Sequence, residues 1–275
     1  MPEKPEVITV ARKLETKLLN RKIINVEVLY KRIIETPSVE EFVKKIVGQT
    51  IHSITTRGKW IVFELDADYM LAHLRMEGKF FFRKKGDTIN KHEHVIFRMD
   101  NDEEFRFSDP RKFARLLLIK KENLYSSKPY NELGYEPWDK LLTSTYLKEK
   151  LSSKRLPMKS ILLDQSIIAG IGNIYADEIL FLSNINPNTR PSMLNDKDFN
   201  NIIINTIKVL DKAVLEGGTT IRSYTSEEGV TGRFQNSLNV HAKKDEACPI
   251  CKTPIIKIRV GGRGTYYCPK CQKEK

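Results

Sequence analysis

Cys248-Pro249-Ile250-Cys251 and Cys268-Pro269-Lys270-Cys271 contain all four cysteines of the 275-residue chain. The two pairs are separated by 16 residues, a spacing typical of a tetrahedral zinc site with four thiolate ligands. Two disulfides in a secreted protein are the alternative, but no basic segment followed by an apolar core precedes them as a secretory signal. Four protein ligands leave the metal no open position, so we expect one structural Zn²⁺.

The residues between the cysteine pairs predict a β-hairpin. Ile256, Ile258 and Val260 alternate with basic residues as in a strand, and the glycine-rich residues 261–264, which include Arg263, predict the turn. The segment 248–275 has seven Lys or Arg and one acidic residue, so its charge is about +4 with four thiolates on Zn²⁺. A small basic unit that presents an arginine favours contact with nucleic-acid phosphates.

The composition of the whole chain agrees with this interpretation. Hydrophobic residues make up 40% and charged residues 30%, a globular balance, and the length favours two domains. The formal net charge is +12, which indicates a polyanionic partner. No stretch approaches the roughly 20 uncharged apolar residues of a membrane span, so we expect no membrane partner.

Two periodicities divide the chain. Residues 5–18 have apolar side chains at helical spacing, and short alternating segments then predict strands and, with them, a β-sandwich or barrel. These segments are residues 24–30, 49–55, 60–65, 70–75, 79–84, 94–99, 104–108 and 115–120. Residues 125–139 are rich in turn formers and indicate a linker.

Helical periodicity follows the linker. It predicts helices over residues 143–151, 159–168, 173–182 and 196–215. Residues 169–172 form a glycine-rich turn, from which Asn173 is placed to cap the next helix; a phosphate seat and an ordinary capped helical hairpin both fit this pattern. The expected domains are residues 1–132, residues 133–236 and, as the zinc finger, residues 237–275.

The first residues could provide a reactive amine with neighbouring carboxylates. Loss of Met1 would expose the secondary amine of Pro2, and a free α-amino group has a pKa near 8. Such an amine can attack an electrophilic carbon, with Glu3 and Glu6 as neighbouring acids or bases. An ordinary terminus, with two acids at the start of a helix, fits the same residues.

Three segments together resemble the formamidopyrimidine-DNA glycosylase family. They are Met1-Pro2-Glu3 with Pro5-Glu6-Val7, the block Asn173-Ile174-Tyr175-Ala176-Asp177-Glu178, and the finger with Gly262-Arg263-Gly264-Thr265. The resemblance implies an α+β fold of two domains. An N-terminal β-sandwich with a leading helix would precede a helix–two-turn–helix module and a four-cysteine zinc-finger hairpin.

The resemblance also implies an activity. The protein would be a bifunctional DNA glycosylase and abasic-site lyase of base-excision repair. It would remove oxidised purines, chiefly 8-oxoguanine and formamidopyrimidines, from duplex DNA and cut the strand by β,δ-elimination. The expected enzyme is a monomer in the bacterial cytoplasm, associated with the nucleoid.

Site residues follow from the same resemblance. Pro2 would be the nucleophile, Glu3 the acid/base at the sugar and Glu6 the support of the amine, while Lys59 would reach the damaged nucleotide. His73, Asn173 and Arg263 match phosphate contacts. The residues that would fill the vacated base stack are Met76, Arg111 and Phe113. A loop near residues 217–232 would close over the flipped base with Thr219, Thr220, Ile221, Arg222, Ser223 and Tyr224.

Four positions depart from the family pattern. Lys4 stands at a usually apolar position and is expected to be solvated, and Ile8 replaces an acid, which could change the packing of the first helical turn. Ala114 replaces a usual glycine, which could stiffen the loop that carries Arg111 and Phe113. His241 replaces a common aromatic residue. Neither Lys4 nor Ile8 carries a family role.

Two other functions compete with the purine glycosylase. An endonuclease VIII type, which prefers oxidised pyrimidines, shares the Pro2-Glu3 start and the finger, but residues 109–113 and the loop at residues 217–224 favour the purine enzyme. A non-catalytic damage-binding protein is opposed by the intact Pro2, Glu3, Glu6 and Lys59.

Overall fold

The computed structural model describes residues 1–219 and 232–275. These residues form two compact units. The described part of unit 1 is residues 1–131, and that of unit 2 is residues 132–219 together with residues 232–275. No helix within the described ranges is long and apolar enough to cross a membrane.

Unit 1 begins with a helix and continues as nine strands with one further helix. The helices are α1 (Lys4–Leu18) and α2 (Val39–Ile46). The strands are β1 (Ile23–Val28), β2 (Ile34–Thr36), β3 (Ser53–Arg57), β4 (Trp60–Glu64), β5 (Asp68–His73), β6 (Lys79–Lys84), β7 (Glu93–Met99), β8 (Glu103–Ser108) and β9 (Arg115–Lys120).

The strands form two sheets with a shared apolar core. One sheet has the order β1-β7-β8-β6 and the other the order β2-β9-β5-β4-β3. The Phe63 ring of β4 lies 5.9 Å from the Phe105 ring of β8, so the inner faces of the two sheets pack on each other. The expected β-sandwich is therefore confirmed, with α1 packed on β3 and β4 through the buried Val7, Ala11 and Leu14.

Unit 2 contains four helices followed by one hairpin. The helices are α3 (Ser144–Leu151), α4 (Met158–Leu162), α5 (Asn173–Leu182) and α6 (Asp196–Leu215), and the hairpin strands are β10 (Ile256–Val260) and β11 (Arg263–Tyr267). Gly261 and Gly262 connect the strands with φ of +54° and +76°. Positive φ at both central residues suits a tight two-residue hairpin turn, and glycine adopts it without strain.

One predicted helix is too long. The periodicity predicts a helix over residues 159–168, but α4 ends at Leu162. The Asp164 carboxylate accepts hydrogen bonds from the Ser166 N–H at 3.0 Å and from its hydroxyl at 2.7 Å. Such local side-chain bonds compete with the helical backbone ladder, and they form the turn that leads towards residues 169–172.

Candidate functional site

The start of α1 is fixed by a hydrogen bond within its first turn. The Glu3 N–H donates to Glu6 Oε2 at 2.8 Å, and Pro5 occupies the first turn of the helix. Pro2, Glu3 and Glu6 are all buried. Because Glu3 is the N-cap and its backbone is bonded to the next turn, the residue that precedes it has a defined position.

The amine at this end of the chain lies among the predicted catalytic residues. Burial lowers the pKa of the Met1 amino group below its usual value, while the charges of Glu3 and Glu6 oppose that shift. Lys59 lowers the pKa further, and Glu77 raises it. The structure thus brings Glu3, Glu6 and Lys59 together around the terminal amine, and it adds Glu77, which the sequence interpretation did not select.

Lys59 belongs to the turn between β3 and β4. Gly58 has a φ of +55° in this turn, and Arg57 pairs with Trp60 on either side of it. Lys59 is buried despite its charge. A two-residue turn between paired strands gives the Lys59 backbone little freedom.

The expectation of a solvated Lys4 is wrong. Lys4 is only 2% exposed. Its Nζ donates to Thr56 Oγ1 at 2.8 Å and to the Thr56 carbonyl at 3.2 Å. A buried ammonium needs such partners, because an unpaired charge in the interior is costly.

His73 is a neutral hydrogen-bond donor in this site. Its Nδ1 accepts a hydrogen bond from the Arg75 N–H at 3.0 Å, so the ring proton belongs to Nε2. Burial lowers the pKa of His73 to about 3, and the charges of Arg75 and Lys59 act in the same direction. At neutral pH the ring can therefore contact a phosphate through Nε2–H without carrying a charge.

Met76, Arg111 and Phe113, the residues predicted to fill the vacated base stack, are called the predicted wedge residues below. The side chains of all three are exposed to solvent. Met76 is 38% and Phe113 49% exposed. The Arg111 guanidinium lies 5.0 Å from the centre of the Phe113 ring, and its Nη1 is 4.0 Å from Glu77 Oε1. Exposed apolar side chains beside a cation suit insertion into a base stack.

Asp109 shapes the loop that carries two of the predicted wedge residues. Its buried carboxylate accepts hydrogen bonds from the N–H groups of Arg111 at 3.0 Å, Phe113 at 2.7 Å and Ala114 at 2.7 Å. His94 Nε2 donates to the Asp109 carbonyl at 2.8 Å. The sequence Asp109-Pro110 alone indicates a plain turn. The structure shows a loop whose shape is defined by these hydrogen bonds.

Asn173 does not cap α5 as predicted. The N-cap is Gly172, and Asn173 is the first residue of the helix. The Asn173 Nδ2 instead donates to the Gly264 carbonyl at 3.0 Å, because the hairpin lies beside the helix start. An amide nitrogen has two N–H groups, so this bond uses only one of them.

A buried ionic cluster lies behind Asn173. Lys159 Nζ donates to Asp177 Oδ1 at 2.6 Å and to the Asn173 carbonyl at 2.7 Å. His241 Nδ1 donates to Asp177 Oδ2 at 2.6 Å, and its ring packs edge-on against Tyr266 at 5.0 Å. Asp177 thereby links α5 to α4 and to His241, whose ring contacts the hairpin.

Glu178 connects α5 in a similar way to the segment that leads into the finger. Its fully buried carboxylate accepts hydrogen bonds from the backbone N–H groups of Asn239, Val240 and His241 at 2.7 to 2.9 Å. The sequence interpretation used Asp177 and Glu178 only as part of a family motif. Two adjacent acids on an otherwise apolar helix were the available signal that both carboxylates need buried partners.

The four cysteines of the predicted finger converge. All four Sγ atoms lie within 4.8 Å of one another, with Cys248 and Cys271 3.9 Å apart and Cys251 and Cys268 3.4 Å apart. Zn–S bonds of about 2.3 Å in a tetrahedron require sulfur separations of about 3.8 Å. The cluster therefore fits one four-coordinate Zn²⁺, in agreement with the predicted structural site.

Arg263 is placed by the hairpin that this cluster supports. It follows the Gly261-Gly262 turn directly, is exposed, and pairs with Val260. Thr219 of the predicted loop is buried. The remaining predicted loop residues, namely Thr220, Ile221, Arg222, Ser223 and Tyr224, lie outside the described residues.

These features define a class of protein before any comparison. A half-buried terminal amine among carboxylates and a lysine, exposed apolar side chains beside an arginine, and a basic four-cysteine finger together suit a DNA-repair enzyme with an amine in its site. Family models agree with this class. Residues 1–116 match the formamidopyrimidine-DNA glycosylase N-terminal domain, residues 133–225 its H2TH domain, and residues 245–273 a zinc finger found in FPG and IleRS.

Whole-chain relatives agree as well. The formamidopyrimidine-DNA glycosylases of Oceanobacillus iheyensis and Bacillus subtilis are each 42% identical over 276 residues, which is 100% of this chain and 99% and 100% of theirs. A point mutant of the Lactococcus lactis FPG in complex with Fapy-dG DNA superposes with a TM-score of 0.92 at 36% identity, over 99% of this chain and 100% of that chain.

The chain belongs to the formamidopyrimidine-DNA glycosylase family, and it is a base-excision repair DNA glycosylase. Members of this family are bifunctional glycosylases and abasic-site lyases.

The neutral state of His73 predicts a pH dependence of stability. The unfolded chain takes up a proton on this residue below pH 6.5, whereas the folded chain resists protonation down to about pH 3. Folding therefore loses stability as the pH falls, by about 2 kcal/mol between pH 7 and pH 5. Denaturant unfolding of wild type and His73→Gln measures this: the variant should lose less stability over that range.

The matched control is His92→Gln, in which a half-buried histidine of the same unit is replaced. Equal pH dependence of wild type and His73→Gln would contradict the buried neutral state.

Removal of one finger ligand should release the metal. We expect Cys251→Ser to lose its zinc and to bind duplex DNA at least tenfold more weakly, because structural zinc supplies folding free energy to small modules. Metal content and fluorescence anisotropy measure the two effects. Wild-type protein stripped by a chelator and reloaded with zinc is the control. A metal-free variant that keeps its full affinity for DNA would contradict the predicted role of the zinc finger in binding.

Proposed function

We propose that the enzyme excises oxidised purines from duplex DNA through the secondary amine of Pro2, with formamidopyrimidines and 8-oxoguanine as substrates. The observation that carries the proposal is the half-buried Met1 amino group, which directly precedes Pro2 and has Glu3, Glu6 and Lys59 around it. Burial favours the unprotonated amine, which is the nucleophilic form. The Lactococcus lactis relatives in complex with Fapy-dG and with abasic-site DNA support this substrate class.

The proposed chemistry has two stages. After loss of Met1, the Pro2 nitrogen attacks C1′ of a flipped nucleotide with its lone pair. The bond from C1′ to the base breaks, and the base leaves with the bonding electrons and with the proton that the Pro2 nitrogen gives up. The sugar ring then opens as O4′ takes a proton from Glu3, which leaves an iminium between Pro2 and C1′. Successive β- and δ-elimination cut the strand, and water releases the sugar remnant from the enzyme.

Glu6 has the role of holding the nucleophile in this scheme. Its carboxylate accepts the Glu3 N–H, so it fixes the peptide that carries Pro2. Lys59 contacts the phosphates of the damaged nucleotide, because a buried cation in a rigid turn offers a fixed counter-charge.

Contacts outside the reaction centre position the DNA. We assign His73, Asn173 and Arg263 to phosphates, which fix the duplex without reading its sequence. Met76, Arg111 and Phe113 fill the vacated base stack, and Arg111 donates hydrogen bonds to the orphaned cytosine. Residues 219–224 close over the flipped base mainly through backbone amides.

The organisation and location of the enzyme complete the proposal. Residues 1–132 form the catalytic domain, residues 133–236 the helix–two-turn–helix domain and residues 237–275 the zinc finger. The enzyme acts as a monomer in the bacterial cytoplasm at the nucleoid. The positive charge of the chain and the bacterial origin of its relatives support this placement.

Borohydride trapping tests the nucleophile. Reduction of the iminium should yield a covalent adduct with 8-oxoguanine:C duplexes for protein that lacks Met1. A form that keeps Met1 should give at least 100-fold less, because the Pro2 nitrogen is then part of an amide. Pro5→Ala is the matched control, since it changes a proline of the same turn and leaves the amine. Equal adduct with Met1 retained would exclude Pro2.

The same assay separates the substrate classes. Duplexes with 8-oxoguanine:C should react at least tenfold faster than duplexes with thymine glycol:A. A clear preference for the second duplex would assign the chain an endonuclease VIII-type specificity instead.

Arg263→Ala should weaken DNA binding by a similar factor on every sequence. Loss of one phosphate contact should also reduce the slope of log K against log salt by about one unit. Lys270→Ala removes the same charge from another exposed position of the finger and is the control. A sequence-dependent loss, or an equal change of slope in both variants, contradicts the phosphate contact. Binding isotherms at three salt concentrations measure it.

A further inference from the structure

Lys4 occupies an unfavourable position for a cation. It is the first residue of α1, where the helix dipole presents its positive end, and it is almost fully buried. A buried cation at a helix N-terminus persists only where specific bonds offset its cost.

One residue supplies two of those bonds. Lys4 Nζ donates to the hydroxyl and to the carbonyl of Thr56, at 2.8 and 3.2 Å. Hydrogen bonds from an ammonium are about twice as strong as neutral ones and depend on direction. The first residue of α1 is therefore fixed to the end of β3.

The two bonded residues are close in sequence to two proposed catalytic groups. Lys4 follows Pro2 by two residues, and Thr56 precedes Lys59 by three. Consecutive Cα atoms are 3.8 Å apart, so the Cα of Pro2 lies within about 8 Å of the Lys4 Cα and the Cα of Lys59 within about 11 Å of the Thr56 Cα.

Each catalytic group is already fixed within its own element. Glu6 holds the Pro2 peptide to α1, and the paired strands β3 and β4 hold Lys59 in its turn. Neither of these contacts fixes the position of α1 along β3. The apolar side chains between them resist separation but not sliding, because hydrophobic contact has no direction. Farther along α1, Glu15 Oε1 accepts the Ile54 N–H at a long 3.5 Å.

We propose that Lys4 is a positioning residue, whose bonds to Thr56 fix the separation between the Pro2 amine and Lys59. The proposal rests on the proposed function for the identity of the nucleophile. Lys4 itself touches no reacting atom in this scheme.

Lys4→Met tests the proposal. Methionine has similar length, suits a usually apolar position and cannot donate to Thr56. We expect borohydride trapping at saturating DNA to slow by about tenfold in single-turnover reactions, as misplacement of a catalytic group costs rate. The dissociation constant for DNA should stay within about twofold of the control, Lys44→Met, which removes one exposed lysine charge from α2.

A double-mutant cycle separates positioning from general stability. Thr56→Val removes the hydroxyl and keeps the shape of the side chain, and we expect it to slow trapping about threefold. In the Lys4→Met background the same change should have no further effect, since the bond is already absent. Lys4→Arg, which keeps the charge and can still donate, should recover part of the rate.

The outcomes are distinguishable. An unchanged trapping rate in Lys4→Met, or additive effects of Lys4→Met and Thr56→Val, overturns the positioning role, as does a lower unfolding midpoint with an unchanged rate in the folded protein. If Lys4→Met does not fold, Thr56→Val alone decides: an unchanged rate overturns the proposal. Absence of an adduct with the wild-type enzyme means that the proposed function fails instead.

Discussion

The site in unit 1 depends on the hydrogen bond between the Glu3 N–H and Glu6 Oε2. The nucleophile of the proposed mechanism is at a chain terminus and has covalent support on one side only, so its position must come from the residues that follow it. Here the following residues form a helix whose first turn bonds back onto the N-cap, and Lys4 bonds the same turn to β3. A disordered terminus would lose more conformational entropy at each attack on the sugar, and the folded turn avoids that cost.

Unit 2 uses buried carboxylates for a comparable purpose. Asp177 connects Lys159 with His241, and Glu178 collects three backbone N–H groups before the finger. A buried carboxylate with all of its acceptor positions engaged specifies one arrangement, because every alternative leaves a charge without partners. The helix start that carries Asn173 and the hairpin that carries Arg263 are thus parts of one body, which suits two contacts on the same polyanion.

The sequence predicted the features that arise from local patterns. Cysteine spacing predicted the zinc cluster, and alternation predicted most strands of the sandwich. It was wrong where a distant partner overrides a local preference: Asn173 bonds to Gly264 rather than capping α5, and Lys4 finds Thr56 rather than water. Glu77 escaped selection because only folding brings its charge near the amine. The positions of such partners depend on tertiary packing, which no periodicity encodes.

The electrostatic balance at the amine has a consequence for DNA binding. Phosphates add negative charge, which raises the pKa of a nearby amine and so favours its inactive, protonated form. Glu3, Glu6 and Glu77 act in the same direction. Burial and the charge of Lys59 oppose them, and burial is the largest influence on the amine. Since bound DNA excludes more water, the desolvation that lowers the pKa of the amine increases as the phosphates approach. In the proposed mechanism Lys59 pairs with those phosphates at the same time, which offsets their effect on the pKa of the amine.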